Sequence, residues 1–163
     1  MFISQGLRWG ITLFLIGMAD APPIIFGAAA PVAPDGGTVN DLSGFIEAVE
    51  AKSLEAKRVG AIHQDFFRAE GTTLRISGGL FSVPAELQLF EYDDKTFGKE
   101  GLKTAAEDAR QIEPTGDPRT MRVRWIDPPH FFHKNRLIVL YLGSDTSALA
   151  LLTELLGTQF AGR

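Results

Sequence analysis

Met121 to Gly157 reads MRVRWIDPPHFFHKNRLIVLYLGSDTSALALLTELLG, and the order of patterns within it decides the fold class. Met121, Val123 and Trp125 alternate with Arg122 and Arg124, the period of two that marks a strand with one dry and one wet face. Asp127-Pro128-Pro129 interrupts it, because proline fixes φ and removes a ladder donor. Leu137 to Leu142 is then apolar at every position, which predicts a strand buried on both faces. Gly143 turns the chain, Ser144 or Asp145 supplies a cap, and Leu149, Leu152, Leu155 and Leu156 form one helical stripe that stops at Gly157. Strand, loop, apolar strand, cap and helix in that order make a ββα unit. Trp125 and Leu140 are expected in its core.

Upstream the same order recurs. Leu74 and Ile76 alternate with Thr73, Arg75 and Ser77, and Gly78-Gly79 ends that strand. Leu87, Leu89, Phe90 and Tyr92 form the next, with Pro84 confined to its beginning. Asp93-Asp94 then open a helix expected to be best formed over Leu102 to Ile112, with Leu102, Ala105, Ala106 and Ala109 facing inward. Residue identity between the two sections is negligible, so the repeat is one of order alone. Nearer the N-terminus, Asn40 is expected to cap a helix over about 41–52 striped by Leu42, Phe45, Ile46 and Val49. Ala56 to Ile62 and Gln64 to Ala69 are short and mixed, and read only as extended. Short connections pair strands antiparallel. The expected fold is therefore α+β in two layers. An antiparallel sheet of about four to six strands carries about three helices on one face, open to arrangement as two ββα units.

The first thirty residues have a different character. Arg8 is the one basic side chain before Lys52. Ile11 to Met18 is an apolar run, Pro22-Pro23 breaks it, and Gly27-Ala28-Ala29-Ala30 are small. Positive, apolar and small-residue regions in that order form the pattern of a secretory signal. Gly27 and Ala29 fit the small-residue positions for cleavage before Ala30. The rival reading is an uncleaved anchor over Gly10 to Ala30, long enough to span, although Asp20 at mid-membrane costs about 2.5–3.5 kcal/mol. PVAPDGGT, from Pro31 to Thr38, reads as a flexible lead. The organisation expected is a signal or anchor over 1–30, a lead over 31–39, and one α+β domain over 40–163. That places the chain in the periplasm or outside the cell, or on the inner membrane through residues 10–30.

Composition narrows the function classes. The chain has 163 residues, 45% hydrophobic and 22% charged, with a net charge of −4 and no cysteine. A nucleic-acid binder carries a basic excess on one face, and this charge balance points away from one. Without cysteine there is no disulfide, no thiol catalysis and no lipobox attachment.

Chemistry-bearing groupings are few. His130 and His133 flank Phe131-Phe132, with His63, Asp65 and Asp127 as further candidate ligands. A spacing of three sends side chains to opposite faces of a strand, so no metal site is expected. Asp93-Asp94 and Glu107-Asp108 are accounted for by helix capping and a solvated face. Ser77-Gly78-Gly79 lacks the Gly-x-Ser-x-Gly elbow, and Asp35-Gly36-Gly37 lacks the lysine and strand of a phosphate loop. No catalytic residue and no cofactor follow from these patterns. One grouping remains. Arg122 and Arg124 share a strand face, and a hairpin with the apolar strand brings Lys134 and Arg136 to that side or its rim. A cationic patch of these four suits an anionic ligand or an acidic envelope partner. The competing reading is a solvated sheet face neutralised by Glu86, Glu91 or Asp127.

Val123 to Asp145 followed by Leu151 to Gly162, and more loosely Phe81-Ser82-Val83-Pro84 and Leu87 to Tyr92, resemble a group of small uncharacterised bacterial envelope proteins, many of them lipoproteins. The resemblance is strongest over Trp125 to Gly162. It implies export and a small α+β domain, and it implies no activity. This chain departs from the lipoprotein members in lacking their cysteine. The function expected is a non-enzymatic binding or structural domain of the cell envelope, with membrane contact only through an uncleaved N-terminal segment. Two alternatives stand beside it: a small hydrolase or transferase with a site near the Asp127–Arg136 loop, and an inhibitor or chaperone of an exported enzyme.

Overall fold

The computed structural model describes residues 39–93, 103–104, 109–115 and 117–163. The expected export segment, the lead through residue 38 and the stretch 94–102 that was to open the central helix lie outside them.

Helix α1 spans Leu42–Glu50 and is capped by Asp41, whose carboxylate accepts the Gly44 amide at 2.9 Å. Asn40, the cap expected from sequence, stands one residue too early, and its side-chain oxygen accepts from Asn135 at 2.7 Å instead. Phe45 and Val49, one turn apart, are the buried face of α1. The chain then forms β1 (Glu55–Ile62), β2 (Gly71–Ser77) and β3 (Ala85–Glu91), three short strands β4 (Lys103–Thr104), β5 (Gln111–Glu113) and β6 (Met121–Arg122), the hairpin β7 (Pro129–Lys134) and β8 (Leu137–Leu142), helix α2 (Thr146–Leu156) and a final short strand β9 (Ala161–Gly162).

The main sheet has six strands in the order β1-β2-β3-β8-β7-β9, antiparallel throughout. The α+β class and antiparallel sheet read from sequence are those of the structure. β8 is central, as its unbroken apolar run requires. Leu137, Val139 and Tyr141 join one core with Phe45, Val49, Leu151, Leu152 and Leu155 of the two helices. Ile138 and Leu140 point the other way, into a second core with Phe66, Phe67, Phe90 and Phe131.

That second core corrects two expectations. The sheet is covered on both faces, because the 63–70 loop, Ile112 and the half-buried Trp125 close over the side opposite the helices. Two-layer packing is not what is seen. The helix expected over Leu102 to Ile112 is also absent from the residues described there: Lys103 pairs with Glu113 and Thr104 with Ile112 as antiparallel strands. Ala109 adopts φ +54°, which a right-handed helix cannot continue through. Ile112 is fully buried in the aromatic core, so at β5 tertiary burial overrides the helical pattern. Two helices stand among the described residues.

The hairpin register differs as well. The strand beside β8 is Pro129–Lys134 rather than Met121 to Trp125. Pro129 sits at the first strand position, where a missing donor is tolerated. Phe131 and Phe132 bury on opposite faces, and Asn135 at φ +48° makes the two-residue turn with Arg136. Met121 and Arg122 pair instead with β5 in the small sheet β4-β5-β6.

Candidate functional site

The four cations singled out by sequence fall into two pairs at opposite ends of β7. Arg122 is exposed on β6 across from Gln111, and Arg124 follows it toward the start of β7. Lys134 closes the far end of β7 opposite Leu137, and Arg136 lies in the turn beyond. Five strand steps separate Pro129 from Lys134, about 17 Å at the usual rise. Arg136 is engaged: its guanidinium lies 2.6 Å from Glu91 and 3.7 Å from the α1 cap Asp41. It joins the end of β3 to the start of α1, a half-exposed contact worth at most about 1 kcal/mol. Arg122 and Arg124 have no such role among the described contacts.

Arg124 instead lines an open hollow of about 380 Å³ at the Pro129 end of the sheet, with Arg110, Arg163, Asp127, Trp125 and Ile126 around it. Each wall has a local cause. The Val123 amide donates to the Arg110 carbonyl at 2.9 Å, which holds the residue before β5 beside the chain that leaves β6 toward Arg124. The Trp125 indole N–H donates to the Ala109 carbonyl at 3.0 Å, and its ring meets Phe66 and Phe131 edge-on at 5.7 and 5.8 Å. One end of the ring is anchored in the core and the other borders the hollow. The Arg163 amide donates to the Pro129 carbonyl and the Gly143 amide to the Pro128 carbonyl, each at 3.0 Å. The proline pair is thereby held from both sides.

Arg110, Arg163 and Gly162 are the residues that sequence reasoning missed. Gly162 has φ +92°, and a Cβ there would lie 1.9 Å from the Pro129 oxygen. Only glycine lets β9 approach β7 so closely and present Arg163 at the rim. An Ala-Gly pair just after a helix and loop is a faint signal for such a contact. Arg110 could not be placed while its segment was read as helix.

The histidines separate as strand geometry requires. His130 is buried on the helix side of β7, stacked near Tyr141, with its ring nitrogens 2.7 Å from the Gln159 side-chain oxygen and 3.0 Å from the Gly143 carbonyl. His133 is exposed on the other face, its Nε2 at 2.9 Å from the Asn135 carbonyl. A second hollow, of about 260 Å³, lies between the 63–70 loop and Pro114 to Pro118. Its Asp117 is held down to about 2 by hydrogen bonds from the Arg119 guanidinium and amide. That pair is two residues apart and open to solvent, so it closes a local turn.

Arg110, Arg124 and Arg163 line the first hollow together with one acidic side chain, Asp127, beside Trp125 and Ile126. Guanidinium forks suit phosphate and carboxylate oxygens, and aromatic and aliphatic walls suit an apolar neighbour of that anion. Comparison of the chain with protein-family models, curated proteins and solved structures finds no match in any of the three.

Proposed function

We propose that this chain is an exported, non-enzymatic domain of the bacterial envelope that binds an anionic group of another molecule in the hollow beside Trp125. The observation that carries the reading is that Arg110, Arg124 and Arg163 line one partly apolar depression in which Asp127 is the single acidic side chain among the described lining residues. Export is supported by the charged, apolar and small-residue order of Met1 to Ala30 and by the resemblance to small envelope proteins. A binding role is favoured over catalysis because the described lining brings cations and apolar walls together. It does not pair a serine, threonine or lysine with a base, as nucleophilic chemistry requires.

Trp125 supplies its own reporter. The chain has two tryptophans, so the full chain carrying Trp9→Phe leaves Trp125 as the only tryptophan, which is excited selectively at wavelengths the tyrosines do not absorb. Titration with hexyl phosphate is expected to give a saturable change in its fluorescence, and hexanol a much smaller one. Arg124→Glu is expected to weaken hexyl phosphate at least about tenfold, as loss of one charge-assisted hydrogen bond does. A response to hexyl phosphate that is equal in Arg124→Glu, or that hexanol reproduces, would overturn the reading.

A further inference from the structure

Five large apolar side chains are exposed among the described residues: Val59 on β1 and Phe160 just before β9 stand apart, and the other three lie on two loops. Ile126 is 88% exposed, Val83 70% and Leu80 49%, and they belong to two loops far apart in sequence. The sheet register brings those loops to one end. The β2–β3 connection precedes Ala85, Leu87 pairs with Tyr141, and Leu142 pairs with Pro129. The start of β3, the end of β8 and the start of β7 therefore share an edge of the sheet. The 78–84 loop and the 123–128 loop rise from that edge about 10 Å apart, two strand spacings. Gly78 to Pro84, GGLFSVP, carries no charge. It is held as a turn, with the Phe81 amide donating to the Gly78 carbonyl at 3.0 Å and Phe81 packed against the helix-side core. Phe81 thus anchors the loop while Leu80 and Val83 point away. Acidic side chains also stand at this end, Glu55 opposite Ser77, Asp127 before β7 and Asp145 after β8, while the opposite end carries Asp65, Arg68 and Glu70 in the β1–β2 loop and Asp41, Glu91 and Arg136 around the hairpin turn.

The hollow of Arg110, Arg124 and Arg163 opens at the apolar end, beside Ile126. Ile126 beside arginines and a tryptophan, with Leu80 and Val83 exposed at the same end of the sheet, repeats the composition of a membrane interface: apolar groups at the acyl boundary, indole among the headgroups, guanidinium on phosphate. Resting on the anion-binding reading above, the geometry points to a bilayer surface containing anionic phospholipid as the occupant of this end. Leu80, Val83 and Ile126 enter the interface, and the arginine hollow takes a lipid phosphate. The charge complementarity singles out a lipid surface, since the 123–128 loop that exposes Ile126 also carries Arg124 and borders the hollow of Arg110 and Arg163, at the sheet end from which the 78–84 loop rises. This contact is peripheral and independent of the N-terminal segment, to which sequence reasoning confined any membrane contact.

The lack of cysteine makes the test local. Leu80→Cys, Val83→Cys and Ile126→Cys, each made in the full chain and labelled with the polarity-sensitive dye NBD, report insertion at one site whatever the N-terminus does. Asp65→Cys labels the opposite end. Vesicles of phosphatidylglycerol and phosphatidylcholine in equal parts are expected to raise emission about twofold or more at positions 80, 83 and 126 and to leave position 65 unchanged. Arg124→Glu, or vesicles of phosphatidylcholine alone, should remove most of that rise. No rise at the three loop positions, or an equal rise at position 65, overturns the inference. If hexyl phosphate still binds beside Trp125 in that case, the anion-binding reading stands and an acidic protein group becomes its ligand. If hexyl phosphate also fails, both readings fall.

Discussion

Gly162 carries a constraint that no other residue type can meet. Its φ of +92° lies where side chains are rarely accommodated, and a Cβ would overlap the Pro129 oxygen at 1.9 Å. The obstacle is backbone already held by the Arg163 amide, so relief requires β9 to move off β7 rather than a side chain to rotate. Gly162→Ala is therefore expected to cost about 1–3 kcal/mol in denaturant melts. It should also weaken hexyl phosphate, because Arg163 loses its place at the rim. A cost below about 0.5 kcal/mol, the range of ordinary surface substitutions, would mean that β9 does not hold that position. Asp41 and Asn40 make a related point at the same scale. Both are good capping residues in sequence, and the choice falls to the one whose oxygen reaches the third amide of the helix while Asn135 occupies the other.

Elements differ in how much of themselves they reveal. β8 and α2 are legible because burial and secondary structure agree there. Leu137 to Leu142 is apolar on both faces and lies at the centre of the sheet. Asp145 caps α2 by accepting the Ala148 amide at 2.9 Å, and Gly157 ends it at φ +91°. Leu140→Ala is expected to cost about 2–5 kcal/mol, as large-to-small changes in a full core do. Asp145→Ala, which leaves one amide of the first turn uncapped, should cost about 1 kcal/mol. Equal losses in denaturant melts would mean that β8 is not interior. β1 reads weakly because it is an edge strand exposed along most of its length, with a bulge between Arg58 and Gly60 that breaks any alternation. β5 misleads because the alanines before it suggest a helix through Ile112 in isolation, while Ile112 is buried as a strand residue in the aromatic core. The candidate site was half legible for the same reason. Arg124 was found on its strand pattern, whereas Arg110 depended on the misread segment. The supposed union of Arg122 and Arg124 with Lys134 and Arg136 depended on pairing the wrong strand with β8.

At the scale of the whole molecule the described residues are polar along the strand direction, with apolar loop tips and an arginine hollow at one end and mixed charges at the other. Such a distribution has consequences only where the exposed end meets something, which makes the fate of the first thirty residues the next question. If they are a signal, Arg8 stays on the cytoplasmic side, Ile11 to Met18 enters the translocation path, and cleavage follows the small residues before Ala30. If they anchor, Asp20 must be carried into the membrane at about 2.5–3.5 kcal/mol, beside two prolines that interrupt the helix. The energetic comparison favours cleavage. Mass spectrometry of the chain expressed in a bacterium is expected to find a mature N-terminus between Ala19 and Ala33, in the periplasmic or extracellular fraction. Intact Met1 in the membrane fraction would assign the anchor instead. Intact Met1 in a cytoplasmic pool would remove the export premise, and with it the envelope setting in which an end built from Leu80, Val83, Ile126 and three arginines finds an anionic surface.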